Sequence, residues 1–402
     1  MMMLCILLRR YVINGMLEGD GGMTMDMHHE HHEVFCPDCW AWDPMAKLRV
    51  PTDPPLDVIT TGTVFFDIIF TGLPRLPEPG EELWSTGMGS CPGGIANLAT
   101  ASARLGLRTG LVAGFGDDTY GDWMWETLSE QERIDLSASR QFQNFHTAIT
   151  VSMAFRGDRG MVSHGHRLPE PVLSDLSRLP TSKAAVIDLN GDVSWLDELQ
   201  QRKTLVFADV GFDETGRWDL ATLAPLAQCH AFTPNAVEAM SYTRTDTPAE
   251  ALHKIADLVP LAVVTDGVRG SYAIDQTTGE QAFCPALSVE ATDPTGAGDV
   301  FAASCVLGTL AGWPLEQRLR FASLSSSLAV MGFGGSLAAP GWGDLADWWR
   351  DTTRRAADND PKAIFRMERY GFMDELVPKH RVQGVRRAMG TFAMASDAAH
   401  HY

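Results

Sequence analysis

Basic residues are scarce in this chain. Lys and Arg total 32 against 51 Asp and Glu, so its 402 residues carry a formal charge of −19. Nucleic acid and anionic membrane surfaces both need basic patches to neutralise phosphate, and neither is expected as a partner. Cysteine is sparse too: seven residues, an odd number, lie scattered over a long chain. That usage suggests no disulfide framework and points to a reducing, cytoplasmic compartment. No apolar run reaches the roughly 18 residues of a membrane span. The apolar opening, residues 1–10, is short and has no basic stretch in front of it, so a signal peptide is not expected.

Several phosphate-handling devices are missing as well. No Lys follows a Gly, so the Gly-Lys-Ser/Thr loop that wraps nucleotide phosphates is absent. There is no His-Arg-Asp or Asp-Phe-Gly segment, which excludes a protein-kinase fold. Gly296-x-Gly298 has no third glycine at dinucleotide spacing, which removes the main support for a Rossmann oxidoreductase.

What is present divides the chain into three. Residues 1–55 are Met- and His-rich, lack periodicity and end in Pro51-Thr52-Asp53-Pro54-Pro55. They read as a disordered leader or an over-extended translation start. Within them, His28-His29-Glu30-His31-His32 and Cys36-Pro37-Asp38-Cys39 offer zinc-type ligands, but without the second well-spaced pair of a structural site. Residues 56–349 alternate short apolar runs with helical patterns, as expected of a mainly parallel sheet covered on both faces. Strands are expected at 57–62, 111–115, 184–188, 204–208 and 261–265, and a helix over 95–105 that stops at Gly106. Residues 147–164 alternate polar and apolar around Arg156-Gly157-Asp158-Arg159-Gly160, a hairpin signal read as part of a small flap. Residues 350–402 read as an accessory helix and a loose tail.

Two segments carry chemistry. Asp293-Pro294-Thr295-Gly296-Ala297-Gly298-Asp299 precedes a helix-like run. Small residues there let backbone N–H groups converge at the positive end of a helix, where a transferring phosphoryl group can be held. An aspartate in the first turn can take the proton of an attacking hydroxyl. By itself the run would more readily be a Gly-rich turn with an Asp stabilising the macrodipole. In Pro92-Gly93-Gly94-Ile95-Ala96-Asn97, two glycines allow a ligand close to the backbone, and Asn97 offers a donor and an acceptor to hydroxyls.

Together these segments resemble the paired signatures of the ribokinase-like, or phosphofructokinase-B (PfkB), family of carbohydrate kinases: a Gly-Gly-x-x-x-Asn helix ending in Ala103-Arg104-Leu105-Gly106, and an Asp-Thr-x-Gly-Ala-Gly-Asp run. The resemblance covers about residues 57–340 in the right order. It implies a three-layer αβα sandwich with a small β-sheet lid from about 71–90 and 147–164, and suggests a homodimer paired through that lid. It implies ATP-dependent phosphorylation of a sugar hydroxyl, with Asp299 as base and Gly296, Ala297 and Gly298 as an anion hole. Gly62-Thr63-Val64-Phe65-Phe66-Asp67 looks like the family's first strand, and Asp67, Gly93, Gly94 and Asn97 would bind substrate. Gly116-Asp117-Asp118-Thr119-Tyr120-Gly121 looks like a structural turn. Asn235 and Glu238 would position Mg2+ through water. Thr265, Gly267 and Gly270 would line the nucleotide site, Ser323 would approach the adenine, and Asp293 with a loop near 332–336 would help bind K+.

Departures concern the substrate. Asp209-Val210-Gly211 stands where fructokinase-like members often show Asp-x-Asn, and Asp266 puts an acid beside the nucleotide turn, where it would have to face solvent or a cation. Phe70, Trp84, Met88 and Phe155 keep open a nucleoside kinase on the same fold. A non-catalytic sugar-binding regulator is the third reading, disfavoured by the intact Gly-Ala-Gly-Asp run.

Overall fold

A computed structural model of the chain describes residues 42–379, apart from 156, 157, 212, 214, 333 and 334. The His/Cys-rich segment at 28–39 and the tail beyond 379 lie outside the described residues.

Among the described residues, fourteen strands form three sheets. The largest is built from β1 (Leu56–Thr61), β4 (Thr109–Val112), β9 (Ser182–Asp188), β10 (Leu205–Asp209), β11 (Ala231–Phe232), β12 (Leu261–Thr265), β13 (Ser271–Asp275) and β14 (Glu280–Cys284). Its order is β14-β13-β12-β11-β10-β9-β1-β4. All neighbours from β12 to β4 run parallel, and β13 and β14 close one end as antiparallel strands. These strands read as unbroken apolar runs because both faces are covered.

The helices are α1 (Ile95–Arg104), α2 (Thr119–Glu126), α3 (Leu196–Gln201), α4 (Ala236–Thr243), α5 (Pro248–Ala256), α6 (Ala297–Leu310), α7 (Leu315–Ala329), α8 (Trp342–Ala357), α9 (Pro361–Tyr370) and α10 (Met373–Leu376). One face of the sheet packs Val58, Val186 and Val263 against α1, α6, α7 and α8. The other packs Ile59, Ile187 and Val264 against α3, α4 and α5. Adjacent residues of one strand thus enter opposite cores, as the two-residue period requires. α1 stops where Gly106 takes φ +86, a conformation that only glycine adopts without strain.

A second sheet, ordered β3-β2-β7-β8, joins β2 (Val64–Leu73), β3 (Gly87–Gly94), β7 (Ile149–Phe155) and β8 (Asp158–His164). The remaining pair, β5 (Gly114–Gly116) and β6 (Arg140–Phe142), forms a two-stranded sheet.

Four sequence expectations are revised. The segment 62–67 is not the first strand: β1 ends at Thr61, the chain breaks at Gly62-Thr63, and Asp67 lies inside a strand of the small sheet. That sheet starts at Val64, earlier than 71, because Val64, Phe66 and Ile68 turn one face of β2 onto an apolar cluster. The boundary at 349 falls inside α8, whose continuation α9–α10 buries Tyr370 and Met373 in the main core. At the other end, part of the segment assigned to the leader is built in. Met45 is buried in that core, and Arg49 reaches the Asp57 carboxylate of β1 at 2.5 Å.

α1 is held by an ion pair removed from water. Arg104 donates from Nε and Nη2 to Glu132 at 3.0 and 2.7 Å and from Nη1 to the Ala339 carbonyl at 2.7 Å. The two side chains are only 2% and 8% exposed. Removing one partner strands a buried charge. Arg104→Met is therefore expected to cost about 3–5 kcal/mol of stability, read as a lowered urea midpoint.

Candidate active site

The Gly-Ala-Gly-Asp run folds as a turn leading into α6. Gly296 sits at φ +76, and a side chain there would press on Gly335, its Cβ 2.9 Å from the Gly335 Cα. No side chain caps the helix, and the space beside Gly298 is open. The positive end of α6 thus faces a cleft of about 360 Å3. Ala297 N–H turns to the Pro294 carbonyl at 3.2 Å, so its donation to a ligand requires giving up that bond.

The cleft is lined by Gly296, Ala297, Gly298 and Asp299, and across from them by Asn235, Glu238, Thr265, Gly267, Gly270 and Ser323. The residues expected on the nucleotide side are therefore together. Gly270, at φ +115, has no room for a Cβ against the Cys284 carbonyl. Asp266 does face a cation: Arg269 grips it through two hydrogen bonds of 2.7 and 2.5 Å. Ser323 Oγ lies 3.5 Å from the Pro285 carbonyl and also contacts the Cys284 and Tyr370 side chains.

Asp67 from the small sheet and Asn97 from α1 interact with Asp299, although neither they nor Gly93 and Gly94 line the cleft just described. Phe65 pairs with Gly93 and Asp67 with Cys91. The Asp67 carboxylate leans diagonally onto Gly93, where any Cβ would overlap it. Gly94, at φ +62, then turns the strand into α1. One turn on, Asn97 hydrogen-bonds the Asp299 carboxylate. Its Oδ1 is buried with no partner among the described residues.

The electrostatics are dominated by burial. Burial raises Asp299 to about 7, against the hydrogen bond from Asn97 and the charge of Arg159. Asp67 also rises to about 7, through burial, then the charges of Asp299 and Asp293, with Arg159 opposing. Glu238 reaches about 7 by burial, despite its hydrogen bonds with Asn235. Asp209 lies well above the usual carboxylate range, pushed by burial and by Asp299 and Glu238.

A hard divalent cation suits this oxygen-rich set, because it would relieve the repulsion that burial amplifies. Asn235 and Glu238 also form a capping box at the start of α4: Asn235 Oδ1 accepts from Glu238 N–H at 3.0 Å, and Glu238 Oε2 from Asn235 N–H at 2.9 Å. One Glu238 oxygen is thereby committed to the fold. Asp293 is fully buried and its Oδ1 accepts from Thr295 N–H and Oγ1 at 3.0 and 2.8 Å, organising its own loop.

Two lining residues escaped the sequence reading. Asp209 registered there only as a departure from a fructokinase pattern, and its place at the carboxyl end of β10 was the available signal. Arg159 was read only as part of a hairpin turn. It reaches from β8 into the cleft, where it is the only basic residue among the described lining.

The profile of pfkB family carbohydrate kinases matches residues 86–341, well over half the chain. The chain belongs to the PfkB family of carbohydrate kinases. It is therefore a phosphotransferase acting on sugars or related compounds. Over 297 residues it is 29% identical to a ribokinase of Bacillus subtilis, covering 71% of this chain and 96% of that protein. Its fold is similar to Arabidopsis thaliana ribokinase complexed with ribose and ATP (TM-score 0.62, 24% identity, 72% and 96% of the two chains covered). It is also similar to Cryptococcus neoformans ribokinase in complex with ADP (TM-score 0.60, 23% identity, 71% and 97% covered). The ribokinase-like α/β fold with its separate small sheet is thereby shown. Among the described residues no helix is long and apolar enough to cross a membrane.

Within this PfkB kinase, Gly93→Ala should displace Asp67, which Gly93 abuts, without touching the cleft lined by Gly296 to Asp299. A rise in KM for the sugar of at least about tenfold, roughly 1.4 kcal/mol of lost binding, with KM for ATP unchanged, is the expected steady-state result. Protonation of the buried acids should also show. If a carboxylate must be ionised to work, kcat/KM rises with pH through an acid limb near 7, an apparent value that belongs to the coupled group. Arg159 favours the ionised forms, so Arg159→Met should move that limb to higher pH in a pH–rate profile.

Proposed function

We propose that the protein transfers the γ-phosphoryl group of ATP to a hydroxyl of a sugar or sugar-like small molecule, with Asp299 as general base. The observation that carries this reading is the position of Asp299. It stands at the open N-terminus of α6 and is held by Asn97, whose buried Oδ1 still lacks a donor. One substrate hydroxyl can donate to Asn97 Oδ1, while a second, the attacking one, has Asp299 as acceptor of its proton.

In this reading Asp67 and Asn97 orient the substrate, and Gly93 and Gly94 let it approach the backbone. The hydroxyl oxygen attacks the γ-phosphorus as Asp299 takes its proton, and the bond to the bridging oxygen breaks to release ADP. N–H groups of Gly296, Ala297 and Gly298 receive the charge on the transferring group. Thr265, Gly267, Gly270 and Ser323 cradle the nucleotide. Magnesium, held through water by Glu238, Asn235 and Asp209, would neutralise charge on the phosphates. The loop of Asp293, beside Val330 and Gly335, is where potassium would bind. The small sheet is the lid that excludes water from the transfer. Its outer strand β8 exposes Met161 and Val162, which supports pairing of two lids in a homodimer.

Ribose-like sugars head the substrate class, since the relatives named above are ribokinases. Of the lid aromatics that would sandwich a nucleobase, Trp84 is 86% exposed, which favours a sugar over a nucleoside.

Asp299→Asn should lower turnover about 10²–10⁴-fold while leaving ATP binding largely intact, checked by ADP release alongside nucleotide titration. Unchanged turnover would refute the assigned role. ADP release across sugars, sugar phosphates and nucleosides separates the substrate classes. Saturable sugar binding with no ADP release from any of them would turn the reading to a sensor.

A further inference from the structure

Outside the cleft, three histidines meet at the base of the lid hairpin. One ring nitrogen from each of His146, His164 and His166 lies within 4.8 Å of the others. Their rings are 4.6, 5.1 and 5.2 Å apart, centroid to centroid. His146 is half-buried and the other two are exposed. The chemistry of phosphoryl transfer uses none of them.

The cluster is a product of the fold. His164 closes β8 opposite Ile149 of β7, and His166 lies two residues beyond. Between them, Gly165 passes so close to Ala148 that a Cβ would come within 2.7 Å of the Ala148 Cβ. Glycine here draws the 164–166 segment against the chain that carries His146. That chain is itself fixed: Asp118 accepts from Thr147 N–H and Oγ1, both at 2.8 Å, while capping α2 through Gly121 N–H.

His146 Nδ1 lies 3.1 Å from the Thr147 carbonyl. A carbonyl only accepts, so the proton of a neutral ring is on Nδ1 and the lone pair on Nε2. A backbone carbonyl fixing the tautomer in this way is the usual partner of a metal-bound histidine.

The geometry points to a three-histidine site for a divalent transition metal of the zinc class, with a fourth position open to water. Zn–N bonds of about 2.0–2.1 Å place tetrahedral ligand nitrogens roughly 3.3 Å apart. The exposed rings of His164 and His166 can turn about χ2 to close that gap. Imidazole nitrogen selects zinc, cobalt, nickel or copper over magnesium. The site is thus chemically distinct from the oxygen-lined cleft. A bound ion would tie the chain entering β7 to the chain leaving β8, fastening the hairpin at its root.

Titration of the full-length protein with Zn2+, and with Co2+ as a spectroscopic probe, tests this. The full chain also carries the histidines and cysteines of 28–39, so Cys36→Ser/Cys39→Ser serves as background and removes thiolate-to-cobalt charge transfer. In that background one equivalent should bind with a tetrahedral, nitrogen-type cobalt spectrum. His164→Ala should weaken it by at least about 10–100-fold, the loss that follows removal even of an outer partner, and His166→Gln should do likewise. Far-UV circular dichroism establishes that each variant is folded. No binding in that background, or an unchanged cobalt spectrum in both folded histidine variants, would overturn the proposal.

Discussion

Carboxylates crowded into a poorly hydrated cleft set the terms for the rest of this molecule. Asp67, Asp209, Glu238 and Asp299 come from the small sheet, two parallel-sheet connections and the start of α6, and each is pushed above its ordinary range by burial. Such an arrangement is unfavourable by itself, because desolvation and like charge act in the same direction. The surrounding fold holds it through structures that ask nothing of those acids: Arg104 with Glu132 beneath α1, and the two cores that clamp the main sheet. The strain is concentrated where a substrate, a nucleotide and a cation would relieve it.

Glycine is the other half of the design. At Gly93 the absent Cβ is occupied by an acid, and at Gly335 its absence lets Asn97 Oδ1 and Cys91 Sγ close in. Gly296 in turn packs on Gly335. Ser336 hydroxyl donates to the Pro92 carbonyl at 2.7 Å and Gly335 N–H to the Thr295 carbonyl at 2.9 Å. One short loop therefore ties the Gly93-Gly94 run to the Gly296–Gly298 run, although the two lie some 200 residues apart in sequence.

Much of this was legible in the sequence. Unbroken apolar runs located the parallel strands, since doubly covered strands leave no polar face, and the later glycine run, 296–298, lies in the lining of the cleft. The misreadings have a common origin. At 62–67 the β-forming residues are continuous, and nothing local tells that β1 and β2 belong to different sheets. α9 and α10 are only thinly apolar, yet tertiary packing buries Tyr370 and Met373. Arg159 and the three histidines were invisible for a related reason: their meaning arises from pairings across β7 and β8, and single-chain patterning does not encode which side chains will converge.

Asp67 belongs to β2, and β2 is a central strand of the lid. On the function proposed above, gate and recognition element would thus be one piece of backbone. Opening the sheet would withdraw Asp67 from Asp299, whose charge pushes Asp67 up. Their repulsion would favour the open form until bound substrate hydroxyls stand between the two acids.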